Sequence, residues 1–187
     1  MLEVVPLGLD GVVEIRPAKH GDARGFFSEV WNRAAMAEAG LDLDFIQDNH
    51  SYSAARGVLR GLHFQPPPVA QDKLVRVSRG SVFDVAVDVR HGSPSFGQWV
   101  GLILSADRWN QILVPKGFAH GFVTLEEHSE VQYKVTGPYR PDLEQAARYD
   151  DPAIGIAWPI EAAALTLSEK DRAAPLLAAV ESGFSFT

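Results

Sequence analysis

The chain has 187 residues, a formal net charge of −7 and no cysteine; 46% of it is hydrophobic and 22% charged. That length suits one domain over residues 1–187, the apolar share argues against disorder along the whole chain, and zero cysteine excludes disulfides, thiolate metal sites and thiol nucleophiles. The acidic balance lacks the basic face that nucleic acid or an anionic membrane needs, no apolar run reaches the ~20 residues that cross a bilayer, and MLEVVPLGLDGVVEI has no basic n-region, so neither partner is expected and the expected location is cytoplasmic.

Glycine (16) and proline (12) punctuate short apolar runs, which read as strands. Residues 12–15 and 25–31 are the first two. The alanine-rich stretch 33–39 reads as a helix that stops at Gly40. If 58–65 is extended, Arg60, Leu62 and Phe64 share one face and Leu59, Gly61, His63 and Gln65 the other, so a twist or bulge is needed before Arg60 and His63 can meet one ligand. The run 65–69 is a proline-rich connector of expected polyproline II form. Strands are then expected at 73–77, 81–89, 97–104, 111–114, 121–125 and 130–136. Within 81–89, Val82, Asp84, Ala86 and Asp88 alternate with Phe83, Val85, Val87 and Val89. Ser168 is placed to cap a short helix through 169–171, and 176–180 follows Pro175 as a last short helix. Turn signals at roughly 8–12-residue spacing indicate an all-β sandwich or barrel with a few short peripheral helices. Double-sheet jelly rolls hold ligand pockets between their sheets.

Four segments concentrate reactive groups. Asp22 to Glu29 contains Arg24, a fixed-charge fork suited to phosphate or carboxylate; alone, a surface arginine in a turn is the plainer reading. Gln47-Asp48-Asn49-His50-Ser51 precedes Arg60-Gly61-Leu62-His63, where a structural and a catalytic histidine are equally good readings. Pro115 to Phe122 contains P-x-G-x-x-H ending at His120, and it resembles the second conserved motif of cupins, which often feeds a metal. The first cupin motif needs H-x-H and then a carboxylate. This chain offers His63-Phe64-Gln65 there, so no metal site is expected. The fourth comprises Tyr133 in a strand-like run and Lys170-Asp171 further on.

Together the segments QDNHSYSAARGVLRGLHFQ, KLVRVSRGSVFDVAVDVRHGSPSFGQWVG, LVPKGFAHGF, VQYKVT, DDPAIGIAWP and LSEKD resemble the dTDP-4-dehydrorhamnose 3,5-epimerase family over residues 3 to 177. The resemblance implies a cupin-type jelly roll, metal-independent and without a cofactor, working as a homodimer with exchanged N-terminal strands. It implies inversion of C3 and C5 in dTDP-4-dehydro-6-deoxyglucose, a step of dTDP-L-rhamnose synthesis. By resemblance His63 is the base, Asp171 its hydrogen-bond acceptor, Tyr133 the acid on the opposite face and Lys73 the cation at the enolate oxygen. Arg24, Phe27, Glu29, Gln47, Asp48, Asn49, Arg60, His120, Glu144 and Lys170 match substrate-contact positions, with Arg24 and Glu29 reaching a partner's pocket. Ser28, Trp109-Asn110-Gln111 and Arg148-Tyr149-Asp150 depart from the usual pattern at the rim. Competing readings are a C3-only or C5-only epimerase, a non-catalytic sugar-nucleotide binder and a metal-dependent cupin.

Overall fold

A computed structural model describes residues 2–186. Its strands are β1 (Glu3–Pro6), β2 (Val13–Arg16), β3 (His20–Asp22), β4 (Gly25–Phe27), β5 (Gln47–Ser53), β6 (Leu59–Phe64), β7 (Lys73–Arg79), β8 (Ser81–Asp88), β9 (Trp99–Ser105), β10 (Gln111–Val114), β11 (Phe118–Thr124), β12 (Ser129–Val135) and β13 (Gln145–Ala146). Two short helices accompany them, α1 (Arg33–Glu38) and α2 (Glu169–Arg172). A six-stranded sheet in the order β1-β2-β10-β7-β12-β5 faces a five-stranded sheet in the order β13-β6-β11-β8-β9, while β3 and β4 form a separate hairpin. All the strand pairs within these sheets are antiparallel. This is the cupin-type jelly roll.

Strand β8 explains the layering. Val82 and Ala86 point into the core between the sheets, with Leu104, Ile112 and Val75. Val85, Val87 and Val89 point the other way and are just as buried. They are covered by the chain after Ala147, through Ile154, Leu177 and Val180. Each fully sealed aliphatic side chain contributes about 1.5–3 kcal/mol, so the C-terminal covering is a second core. A third lies on the outer face of the six-stranded sheet, where Met36 of α1 packs on Val13, Ile15, Leu74 and Leu113.

Local chemistry sets the helix ends. Asn32 accepts from the Ala35 N–H to start α1, and Gly40 follows its end at φ +84°. Ser168 accepts from the Asp171 N–H to start α2. The run expected over 25–31 is a strand only to Phe27. Beyond it the backbone is held by side chains, since Ser28 Oγ donates to the Ala18 carbonyl and Gln111 Nε2 to the Val30 carbonyl, each at 2.7 Å. The expected helix at 176–180 is a 3₁₀ turn over Leu177–Ala179; so short a run cannot repay the cost of nucleating an α-helix. The 65–69 connector is a turn, not a polyproline helix: the Val69 N–H donates to the Pro66 carbonyl at 3.1 Å.

Candidate active site

A cavity of about 620 Å³ opens between the two sheets. Strands β5, β7 and β12 supply Gln47, Asn49, Lys73 and Tyr133 from one wall. Strands β6 and β11 supply Arg60, His63 and His120 from the other, and Asp171 and Lys170 enter on α2.

Of the two devices that could let Arg60 and His63 meet, a twist or a bulge, strand β6 has the bulge. His120 pairs with His63 but Phe122 pairs with Arg60, so β6 carries one extra residue against β11. Arg60 and His63 therefore both line the cavity, while Leu62 and Phe64 pack into the outer core. The strands touch closely at this point. A Cβ on Gly61, at φ +131°, would lie 2.5 Å from the Gly121 Cα. Only glycine fits there.

His63 Nε2 lies 2.6 Å from Asp171 Oδ1. With Nε2–H donating to that carboxylate, Nδ1 carries the lone pair. Asp171 is 3% exposed. Burial raises its carboxyl, but the His63 hydrogen bond, the His63 charge and the Ser168 hydroxyl outweigh burial and hold it below the usual range. Lys73 donates to the His63 carbonyl at 3.2 Å. Burial lowers its ammonium to about 8, against the opposing pull of Glu144 and Asp84. Burial raises the Tyr133 phenol, helped by Glu144 and Tyr139 and opposed by Arg60. Base-type and acid-type side chains thus stand on opposite walls, with an ammonium group beside them.

Glu144 accepts from the Tyr139 hydroxyl at 3.1 Å and from the Lys170 ammonium. Its other oxygen is 4.0 Å from His63 Nδ1. A second histidine–carboxylate pair joins His120 Nε2 to Asp84 at 2.9 Å. Asp84 is fully buried and Coulombically felt at Lys73. Among the described residues no cluster of three or more His, Cys, Asp or Glu side chains is arranged to hold a metal ion.

Four positions matched by resemblance lie outside this cavity. Asp48 points to the outer face of the sheet, where it accepts from Lys134 at 2.8 Å; Gln47 and Asn49 take the inner face because side chains alternate along β5. Arg24, Phe27 and Glu29 belong to the β3–β4 hairpin and the residues after it. Arg24 pairs with Asp22 at 2.6 Å with its side chain 90% exposed, and Phe27 is 72% exposed. Two of the rim departures are partnered with each other: Trp109 Nε1 donates to Ser28 Oγ at 2.8 Å.

Tyr139, Ser51 and Asp84 stand outside the site residues expected from the sequence. Ser51 lines the cavity with its hydroxyl buried and unpartnered. Asp84 could have been found, since an aspartate between Val82 and Ala86 on a buried strand face requires a buried partner. Tyr139 carried no signal beyond its turn.

Residues 6–179 match the family profile described as dTDP-4-dehydrorhamnose 3,5-epimerase. The chain belongs to that family. A dTDP-4-dehydrorhamnose 3,5-epimerase of Sinorhizobium fredii is 50% identical over 184 residues, covering 96% of this chain and 92% of the relative. The crystal structure of the Legionella pneumophila dTDP-6-deoxy-D-glucose-3,5-epimerase, in complex with dTDP-4-keto-L-rhamnose, superposes with a TM-score of 0.95 at 43% identity and covers 100% of both chains. A 3′-monoepimerase from Streptomyces bikiniensis, in complex with dTDP-quinovose, gives a TM-score of 0.86 at 36% identity, covering 93% of this chain and 87% of that one. At least one structural neighbour of this chain is thus named for inversion of a single centre. Among the described residues no helix is long and apolar enough to cross a membrane.

Proposed function

We propose that this enzyme inverts C3 and C5 of dTDP-4-dehydro-6-deoxy-D-glucose to give dTDP-4-dehydro-L-rhamnose, in dTDP-L-rhamnose synthesis in the cytoplasm. The observation that carries the reading is the placement of His63, backed by Asp171, across one cavity from Tyr133 and Lys73.

Both centres flank the C4 ketone. His63 Nδ1 takes the proton from carbon, the C–H electrons move toward O4, and the oxygen becomes an enolate. The Lys73 ammonium meets that charge where it develops. Tyr133 gives a proton to the opposite face of the same carbon, the electron pair returns from oxygen, and the centre is inverted. A phenol raised by burial is a weak acid, yet an enolate carbon is basic enough to take its proton. Asp171 fixes the imidazole tautomer and stabilises the imidazolium. Arg60, with Gln47, Asn49, His120 and Lys170, binds the diphosphate and sugar, for which guanidinium forks are suited.

The working unit in this reading is a homodimer. Arg24, Phe27 and Glu29 lie away from their own cavity on an exposed hairpin, which supports their serving the partner's pocket, with Phe27 stacking on thymine. The deciding experiment is turnover of dTDP-4-dehydro-6-deoxyglucose in D₂O, followed by NMR. Deuterium at both C3 and C5 is expected. Label at one carbon selects the single-centre activity of the Streptomyces bikiniensis relative, and label at neither rejects the reading.

A further inference from the structure

One inversion leaves the two proton-handling groups in the wrong state for the next. His63 has gained a proton and Tyr133 has lost one. A second inversion, or a fresh turnover, needs that proton removed from His63 and another delivered to Tyr133.

Asp171 cannot serve as the exit. It is 3% exposed, and its Oδ1 already holds the Nε2 side of the ring. The other nitrogen faces Glu144, with Nδ1 and Oε1 4.0 Å apart. The second oxygen of Glu144 accepts from Tyr139 and Lys170, whose side chains are half exposed. Glu144, its side chain 13% exposed, thus links the part-buried imidazole to two half-exposed side chains at the rim. Contacts of this length in an unliganded site commonly tighten when substrate binds.

We infer that Glu144 carries the proton from His63 to solvent and so resets the site between inversions. This rests on the proposed epimerisation and goes beyond a binding role for Glu144. The N–H bond at Nδ1 breaks with its electron pair left on nitrogen, and an O–H bond forms at Oε1. The acid then passes its proton to water at the rim. Water in the cavity supplies one proton to the Tyr133 oxygen. One proton leaves and one enters, and no oxidant or reductant is involved. Burial raises the Glu144 carboxyl, but Lys170, the His63 charge and Tyr139 hold it below the ordinary range, which suits a group that passes a proton on.

Glu144→Gln tests this, because the amide oxygen still accepts hydrogen bonds but cannot take a proton. In a dilute, bulky zwitterionic buffer the variant should turn over about a hundredfold or more slowly than the parent, the lower end for loss of one proton-transfer group. Concentrated imidazole should bring it back to near the parent rate. The parent should ignore the buffer, and so should Glu144→Asp, which keeps a carboxylate. A Glu144→Gln enzyme that runs at the parent rate in dilute buffer overturns the relay. So does one that is slow but insensitive to imidazole, which is the behaviour of a purely structural or binding role. The parent's labelling in D₂O separates the two readings. If the parent labels neither carbon, the epimerase reading falls and the relay with it; if it labels them normally, a buffer-insensitive Glu144→Gln condemns the relay alone.

Discussion

Replacing Asp171 by asparagine changes almost no volume and should nearly silence the enzyme. Two effects add. The carboxylate lies 2.6 Å from His63 Nε2 in a sealed position, and a hydrogen bond to a charged group there contributes about 1.5–3 kcal/mol. At ~1.4 kcal/mol per decade, its loss from the transition state slows the reaction roughly 10- to 150-fold. The amide adds a tautomer error. Its N–H can donate to Nε2, which moves the ring proton to Nδ1 and removes the lone pair that faces the sugar. An equivalent error in a hydrolase triad costs about 10⁴. The expected fall in kcat is therefore between about 10² and 10⁴, read as deuterium wash-in at C3 and C5 by NMR, with circular dichroism unchanged. The acid sensitivity of folding should change too. The Asp171 carboxyl is held below its ordinary 3.8, so its stabilisation is present above that value and is lost as pH falls through the depressed one. Asparagine removes that dependence. A variant within about threefold of the parent rate would refute the assignment of His63 as a base tuned by Asp171.

Lys73 predicts an alkaline limb: the rate should fall as pH rises through about 8, and Lys73→Arg, though slower, should lose that limb in a pH–rate profile because guanidinium stays charged. The stability sign is opposite, since the unfolded chain binds more protons between about 8 and 10.5, so the Lys73 contribution to stability rises with pH across that window in urea titrations. Gly61→Ala should cost about 2 kcal/mol or more in urea unfolding, because its Cβ would meet the Gly121 Cα at 2.5 Å. Gly40→Ala, with open space around it, should cost only about 1 kcal/mol; equal costs would discredit the close-approach argument. If the proposed dimer shares its pockets, Arg24→Ala and His63→Ala proteins should each be impaired, while remixing the two should restore activity, because the intact His63 pocket would borrow Arg24 from its partner. No gain on mixing would place Arg24 outside the shared site.

Legibility followed local physics. Strand β10 is where the sequence placed it, at 111–114, and β8, β9 and β12 differ from expectation by a residue or two, because apolar alternation between turn residues defines such strands. Strand β5 was missed, since Gln-Asp-Asn-His-Ser opposes strand propensity and is held by pairing with β12. The His63–Asp171 pair could be drawn only by resemblance: 108 residues separate the two, and no local pattern spans that distance. Strict alternation kept Arg60 apart from His63, and a one-residue bulge, invisible in the residue string except as Gly61, brought them together.

The C-terminal covering of the five-stranded sheet has a consequence for how the protein comes to life. The jelly roll closes its last long strand at Val135, yet Asp171, the hydrogen-bond partner of the proposed base His63, arrives only later in the chain. A chain emerging from the ribosome can thus complete both sheets and still be chemically mute until its final stretch docks. In the finished protein, a proteolytic cut between residues 150 and 168 would loosen the segment that holds Asp171 beside His63. Catalytic competence is a gauge of whether the tail is seated, and it should be lost before the sheets open when the protein is gently unfolded.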